Sequence, residues 1–430
     1  MQTKNVICIL GIMLAGISII SFSPTAYAIE WDQVHISGYG NAHAMDHSGL
    51  PKLVGKDDLD DLFFQLREFS LFFDLEVAEG IIASLEMEAG DNASIFTPNY
   101  AYVDFDLPLL HEAWNEDLLG GLSLRVGKFL VPFLSYNENK PNFKQHLMSQ
   151  PFTAWQIVPV IPSPPDFEGL GWTDVGGMIN WNRLLGSFGV LDVKYSIING
   201  IRSDSEVLDD NTVVLDAGTV TSTIRPRDGL IQNESDDTRD NNNNKAQVVK
   251  ISFASSHVPL NVGGSWYSGD WDPDSKHNLQ MWGIHANWIS KYWTLKGEWV
   301  LGDVEQEAGI NPVTAPGPGP LNTSTGDYNM DAWYVEGSVV PFWWGKDDDC
   351  SLRFIVRYDQ VNTNDKAAFT PFDRNRITYG TEWQFNSNAR LRYEFQRSKI
   401  DNFESAPAPF KAAGGEEKIN MNMLSVIFWF

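Results

Sequence analysis

Apolar and polar residues alternate with a period of two along most of this chain. Phe69, Leu71, Phe73, Leu75 and Val77 interleave with Glu68, Ser70, Phe72, Asp74 and Glu76. Ile81, Ala83, Leu85 and Met87 interleave with Ser84, Glu86 and Glu88, and Leu352, Phe354, Val356 and Tyr358 with Arg353, Ile355, Arg357 and Asp359. This period places one set of side chains on each face of a strand. It predicts sixteen strands, near 33–44, 63–78, 80–90, 98–107, 120–131, 171–183, 188–200, 246–257, 260–268, 278–289, 291–303, 328–341, 350–361, 374–386, 388–400 and 419–430. Their connections alternate between mostly short turns, such as Ala78-Glu79-Gly80 and Val258-Pro259, and mostly long polar loops at 45–62, 132–170, 201–245, 304–327, 362–373 and 401–418. Nothing else in the chain could cover so many half-apolar faces. The pattern therefore predicts an all-β fold, a transmembrane antiparallel up-and-down β-barrel of about sixteen strands, with lipid outside and water inside.

The first residues are read apart from the barrel. Lys4, the apolar run Val6–Ile20 and the small-residue pattern Ala26-Tyr27-Ala28 read as a secretory signal over 1–28, leaving 29–430 as the barrel. No later stretch is long and apolar enough for a spanning helix. Cys8 falls in the signal, so Cys350 alone follows it, too few for an internal disulfide or a cysteine metal cluster. Thirty-one basic residues against 56 acidic give a formal charge of −25, which excludes a basic nucleic-acid-binding face.

If the apolar stripe meets lipid, the polar stripe lines the lumen, because a charge facing lipid at mid-bilayer costs ~2–4 kcal/mol. An acidic wall then forms from Glu68, Asp74, Glu76, Glu86, Glu88, Asp104 and Asp106. A basic wall forms from Arg125, Arg353, Arg357, Arg374, Arg376, Arg390 and Arg392, with Glu382 and Glu394 among them. Arg67 has lipid-facing parity, and Met421, Met423, Ile427 and Trp429 put apolar groups on the inner parity, against the N-terminal segment or a neighbouring subunit. The acidic loop residues Asp204, Glu206, Asp209, Asp210, Glu234, Asp236, Asp237 and Asp240 read as a solvated run that could also take divalent cations bridging lipopolysaccharide. Tryptophans near strand ends read as interfacial girdles. His35, His43 and His47 read as lumen or loop positions rather than a metal set, and neither a metal nor a cofactor is expected.

The chain resembles the bacterial outer-membrane porins, in the broad group of the phosphate-selective porin O and P family. Ala101-Tyr102-Val103-Asp104-Phe105, Leu124 to Phe133, Thr173-Asp174-Val175-Gly176-Gly177, Arg357-Tyr358-Asp359 and the terminal Phe430 carry the resemblance. It implies a homotrimer of sixteen-stranded barrels in the outer membrane. It also implies a third outer loop folded inward, which places Glu138, Lys140, Lys144, His146 and Asp166 of the proline-rich loop 132–170 at a constriction. The closing Phe428-Trp429-Phe430 resembles the strand by which such barrels are recognised by the assembly machinery, with Phe428 and Phe430 as its aromatic signal. Phosphate selectivity does not carry over to so acidic a chain. The expected function is a water-filled channel for small hydrophilic solutes and ions, leaning to cations. The alternatives are a barrel enzyme, protease or phospholipase, or an adhesin or receptor working through the long loops.

Overall fold

The structure is a computed structural model. It describes residues 33–48, 63–90, 97–107, 121–139, 144–154, 171–203, 230–231, 244–271, 275–305, 327–341, 350–366, 373–402, 404 and 417–430. The signal assigned to 1–28 lies outside them, as do most of loop 201–245 and its acidic run, Lys140, Asp166 and the side chain of Arg67.

Among the described residues, sixteen strands close into one antiparallel barrel, each paired with its neighbours in sequence and the last with the first. They are β1 (Val34–Ser48), β2 (Phe63–Ala78), β3 (Ile81–Gly90), β4 (Thr97–Asp106), β5 (Leu122–Leu130), β6 (Thr173–Leu184), β7 (Gly189–Ile198), β8 (Ala246–Ser255), β9 (Leu260–Asp270), β10 (Asn278–Ile289), β11 (Trp293–Val304), β12 (Tyr328–Val339), β13 (Ser351–Asn362), β14 (Arg374–Asn386), β15 (Ala389–Ile400) and β16 (Lys418–Trp429). Closure satisfies the strand edges, which a bilayer requires of a spanning sheet. Most bounds fall within two residues of the periodicity reading, and β1 runs four residues further. Two-residue strands Arg202–Ser203 and Leu230–Ile231 pair within the loop after β7.

The outside is apolar. Ile251, Trp282, Ile284, Trp299, Leu301, Val335, Phe354, Val356, Tyr379, Tyr393, Leu424 and Val426 are all exposed on it. The alternating positions Lys250, His285, Glu298, Glu336, Arg357, Arg376, Arg392 and Glu394 are buried on the inner side. Water therefore does not set this inside-out pattern. The apolar face is turned outward because hydrocarbon is the solvent there.

The seam between β1 and β16 depends on small residues. Gly40 pairs with Phe428, and a Cβ at Gly40 would lie 2.4 Å from the Phe428 ring. A Cβ at Gly38 would lie 2.8 Å from the Phe430 ring, and Gly38 and Phe430 exchange main-chain hydrogen bonds of 3.1 and 3.0 Å. The last two phenylalanines thus reach over glycines of the first strand.

Candidate functional site

The inside of the barrel is organised around the chain that follows β5. Residues 131–139 and 144–154 do not stay beyond the rim. Their main chain is bonded to inward side chains of β8 to β15. The Leu134 amide donates to Ser265 Oγ (2.9 Å), and Lys250 Nζ donates to the Leu134 carbonyl (2.6 Å). The amides of Ser135 and Tyr136 donate to Glu298 Oε1 at 2.8 and 2.7 Å, and Thr153 Oγ1 donates to Glu298 Oε2 at 3.1 Å. Further on, Arg357 donates to the carbonyls of Ser149 (2.8 Å) and Gln150 (3.2 Å), Arg376 to the Gln150 carbonyl (2.5 Å), and Arg392 to the Gln145 carbonyl (2.7 Å). The Met148 amide donates to Glu394 Oε2 at 2.7 Å. A segment that lies mostly outside helix and strand needs such partners once it leaves water.

Shape reinforces the bonding. Inward glycines leave recesses where the segment's leucines sit: a Cβ at Gly283 would lie 2.4 Å from Leu134 Cδ2, and one at Gly380 2.4 Å from Leu147 Cδ2. Met148 joins Met45, Met421 and Met423 in a buried cluster. Met421 and Met423 therefore face inward to meet this segment and β1, and Ile427 is fully buried. The sequence reading sent them to the N-terminal segment or another subunit. Trp429 lies under the Arg390 guanidinium, 4.7 Å from its ring.

The expected constriction residues differ in their surroundings. Glu138 accepts ion-pair bonds from Lys194 and Lys250. Burial opposes its charge, but Lys250 and Lys194 outweigh that and hold its carboxyl down at about 2. His146 Nδ1 lies 3.1 Å from Glu382 Oε1. Burial pushes this imidazole below its ordinary value despite the carboxylate. Lys144 is exposed.

The basic wall needs correcting. Arg357, Arg376 and Arg392 are each 1% exposed, beneath the segment, so they present no charge to open water. They hold backbone carbonyls and are neutralised beside them: Arg357 and Arg376 flank Asp359 at 2.9 and 3.3 Å, and Arg392 lies 3.4 Å from Glu382. A buried guanidinium needs such partners. Arg374 is buried against the Phe152 ring, 5.2 Å from its centre. Arg390 bonds Glu382 at 3.1 Å and Arg353 bonds Ser338 Oγ at 2.8 Å, both half-buried. The late strands are thus a paired network of both signs, not a basic face. Glu298, Glu336, Lys194 and Lys250 share the inward face, but the sequence reading did not name them, because the partners of Glu298, Lys194 and Lys250 lie on a loop distant in sequence.

The early strands differ. Arg125 donates twice to Asp104, both at 2.8 Å, and lies 3.7 Å above the Tyr102 ring. Asp74 and Glu76 are exposed, and Asp74 accepts from Ser84 Oγ at 2.6 Å. Asp106 is half-buried. Glu68, Glu86 and Glu88 are buried, with one oxygen of each within 4.8 Å of the others, close enough to hold a divalent cation. Tyr39 donates to Glu68, and Asn99 to Glu86 at 2.9 Å.

Comparison with known proteins agrees with this architecture. A family profile for phosphate-selective porin O and P matches residues 271–416. No curated protein sequence matches. Two solved structures resemble the chain across the whole barrel. The outer membrane channel DcaP of Acinetobacter baumannii is 13% identical, with 92% of this chain and 97% of that one covered and a TM-score of 0.50. An anion-selective porin from Comamonas acidovorans is 10% identical, with 92% and 99% covered and a TM-score of 0.53. At these identities the likeness is one of fold: a porin-type barrel, which crosses the bacterial outer membrane with its strands.

Proposed function

We propose that the protein is a passive channel, a water-filled pore for small hydrophilic solutes and ions, and not an enzyme. One observation carries the reading. A closed barrel has an apolar outside and a charged inside, and its inside is crossed by a segment tied to one half of the wall. Tying residues 131–139 and 144–154 to β8–β15 leaves the acidic inner face of β2–β4 as the opposite wall of the passage. In this reading the segment narrows the lumen and a passage stays open beside it. Ions and small polar solutes then pass between it and the carboxylates, and the lean is to cations.

The functional unit in this reading is a homotrimer. Tryptophan and tyrosine mark the lipid boundary of a spanning barrel. Trp181, Tyr195, Trp266, Trp282, Trp299, Trp333, Tyr358, Tyr379, Trp383 and Tyr393 supply them on the outer face from β6 to β15, whereas the described outer positions of β16 and of β1 to β5 carry none. The face without the belt is the one that meets sister subunits. Phe428 and Phe430 serve recognition by the assembly machinery, and the outer loops meet lipopolysaccharide.

The test is conductance of the purified protein in a planar lipid bilayer in potassium chloride. Discrete open steps, occurring in threes, are expected. Hydrolysis of lipid or peptide with no steps would replace the channel by an enzyme. A reversal potential on the anion side in a salt gradient would overturn the cation lean.

A further inference from the structure

The acidic wall carries a second chemistry, aromatic rings. Phe72 on β2 and Tyr100 and Tyr102 on β4 have inward parity and are half-buried. Their ring centres are 6.3 Å apart from Phe72 to Tyr100 and 5.3 Å from Tyr100 to Tyr102. Register pairs Phe72 with Glu86 and Glu86 with Tyr100, so the two rings flank a carboxylate. Asp74 follows Phe72 on the same face and is exposed, and Asp104 follows Tyr102 on the same face and is half-buried. The wall thus alternates rings and carboxylates along adjoining strands.

One rung of this pattern already shows what it holds. The Arg125 guanidinium lies over Tyr102 at 3.7 Å while its Nε and Nη2 both donate to Asp104 at 2.8 Å. An aromatic face plus a carboxylate is the combination that captures an organic cation, by the ring quadrupole on one side and charge-assisted hydrogen bonds on the other. The next rung offers the Tyr100 and Phe72 rings with Asp74.

We propose that this strip of β2–β4, centred on Phe72, Tyr100 and Asp74, is a binding track for small organic cations bearing a guanidinium or alkylammonium group. The proposal rests on the channel reading and gives it a solute class. A permeating cation exchanges water for ring and carboxylate at each rung. Because no rung encloses it, binding stays weak enough for release. Neutral sugars could also stack on such rings. The charge decides against them: among the described inward positions of β1–β5, Arg125 is the one arginine or lysine, set against Glu68, Asp74, Glu76, Glu86, Glu88, Asp104 and Asp106.

The experiment measures single-channel potassium current through the full-length protein in planar bilayers while guanidinium, tetramethylammonium or maltotriose is added. Saturable, concentration-dependent reduction of current by the two cations and none by maltotriose is expected. Tyr100→Leu and Asp74→Asn should each raise the half-blocking concentration roughly five- to tenfold. Tyr100→Phe, which keeps the ring, should leave it near the parent value, and Phe72→Leu repeats the ring test at a second site. Potassium conductance in every variant shows that the channel is intact, so a failed block cannot be mistaken for a failed barrel. The proposal is overturned if the cations show no saturable block in the parent, if Tyr100→Leu and Phe72→Leu both block like the parent, or if maltotriose blocks equally and with the same sensitivity to Tyr100→Leu. Absence of potassium conductance in the parent would instead refute the channel itself.

Discussion

Glu298 is the point at which to break the hold on the crossing segment. Its Oε1 accepts the amides of Ser135 and Tyr136 at 2.8 and 2.7 Å, and its Oε2 accepts Thr153 Oγ1 at 3.1 Å. One carboxylate therefore fastens both arms of the segment to β11. Glu298→Ala leaves two amides and a hydroxyl without their acceptor. A buried donor stripped of its partner costs about 1–3 kcal/mol, so the two amides alone weaken docking by roughly 2–6 kcal/mol. At about 1.4 kcal/mol per factor of ten, the docked-to-free ratio falls by roughly thirty-fold to ten-thousand-fold. The barrel loses none of its ladder bonds, since these are main-chain.

The assay is single-channel recording, with heat-dependent gel mobility as the check that the barrel has formed. Glu298→Ala should give larger and noisier open steps with frequent transitions between levels. Glu298→Gln keeps an oxygen where Oε1 stands and loses only the charge, so it should sit between the parent and Glu298→Ala. Open steps of Glu298→Ala with the parent's amplitude and noise, in a barrel of normal mobility, would refute the view that residues 131–139 and 144–154 set the width of the pore.

Three other outcomes follow from separate contacts. Gly380→Leu drives a side chain into the place of Leu147, whose Cδ2 lies 2.4 Å from the site of a Cβ, and should also raise conductance, measured the same way. Phe430→Ala removes the ring over Gly38 while sparing the main-chain pair, and should lower the yield of heat-modifiable barrel severalfold in membranes. The pH response follows from Glu138. A carboxyl depressed on docking, from an ordinary 4.5 to about 2, contributes stability that is complete above 4.5 and is lost as pH falls through about 2. Conductance should therefore lose this anchor's support only between about pH 4.5 and 2, and Glu138→Gln should abolish that part of the acid response.

The barrel was legible because its cause is local. A two-residue period needs only neighbours in sequence to reveal which face meets lipid, so Phe354 against Arg353 could be placed without coordinates. The crossing segment was legible only through resemblance to porins. Its anchors were not, since no local rule links Ser135 to Glu298 or Gln150 to Arg376 across more than 160 residues. Two signals did stand in the sequence: glycines at inward positions 283 and 380, where a lumen would otherwise carry a side chain, and a methionine set split between Met45, Met148 and Met421–Met423. Both are complementary shapes, and complementarity is invisible until its partner is in place.

The distribution of arginine carries the last step. Counted along the strands, late arginines appear to oppose early carboxylates, and the lumen looks balanced. Burial changes the sum. Arg357, Arg376 and Arg392 spend their donors on the carbonyls of Gln145, Ser149 and Gln150 and their charge on Asp359, Glu382 and Glu394, so their field closes on itself within a few ångströms. Asp74 and Glu76 remain in water on the other side, with Arg125 already matched to Asp104. The residues that fasten the segment are thus paired within it, and in the proposed channel the exposed carboxylates Asp74 and Glu76 are the charges a permeating ion meets on the opposite wall. A basic residue count does not predict anion preference where the bases serve as rivets. Substituting Asp74 and Glu76 together by Asn and Gln should reduce the cation lean more than any arginine substitution among the three buried ones.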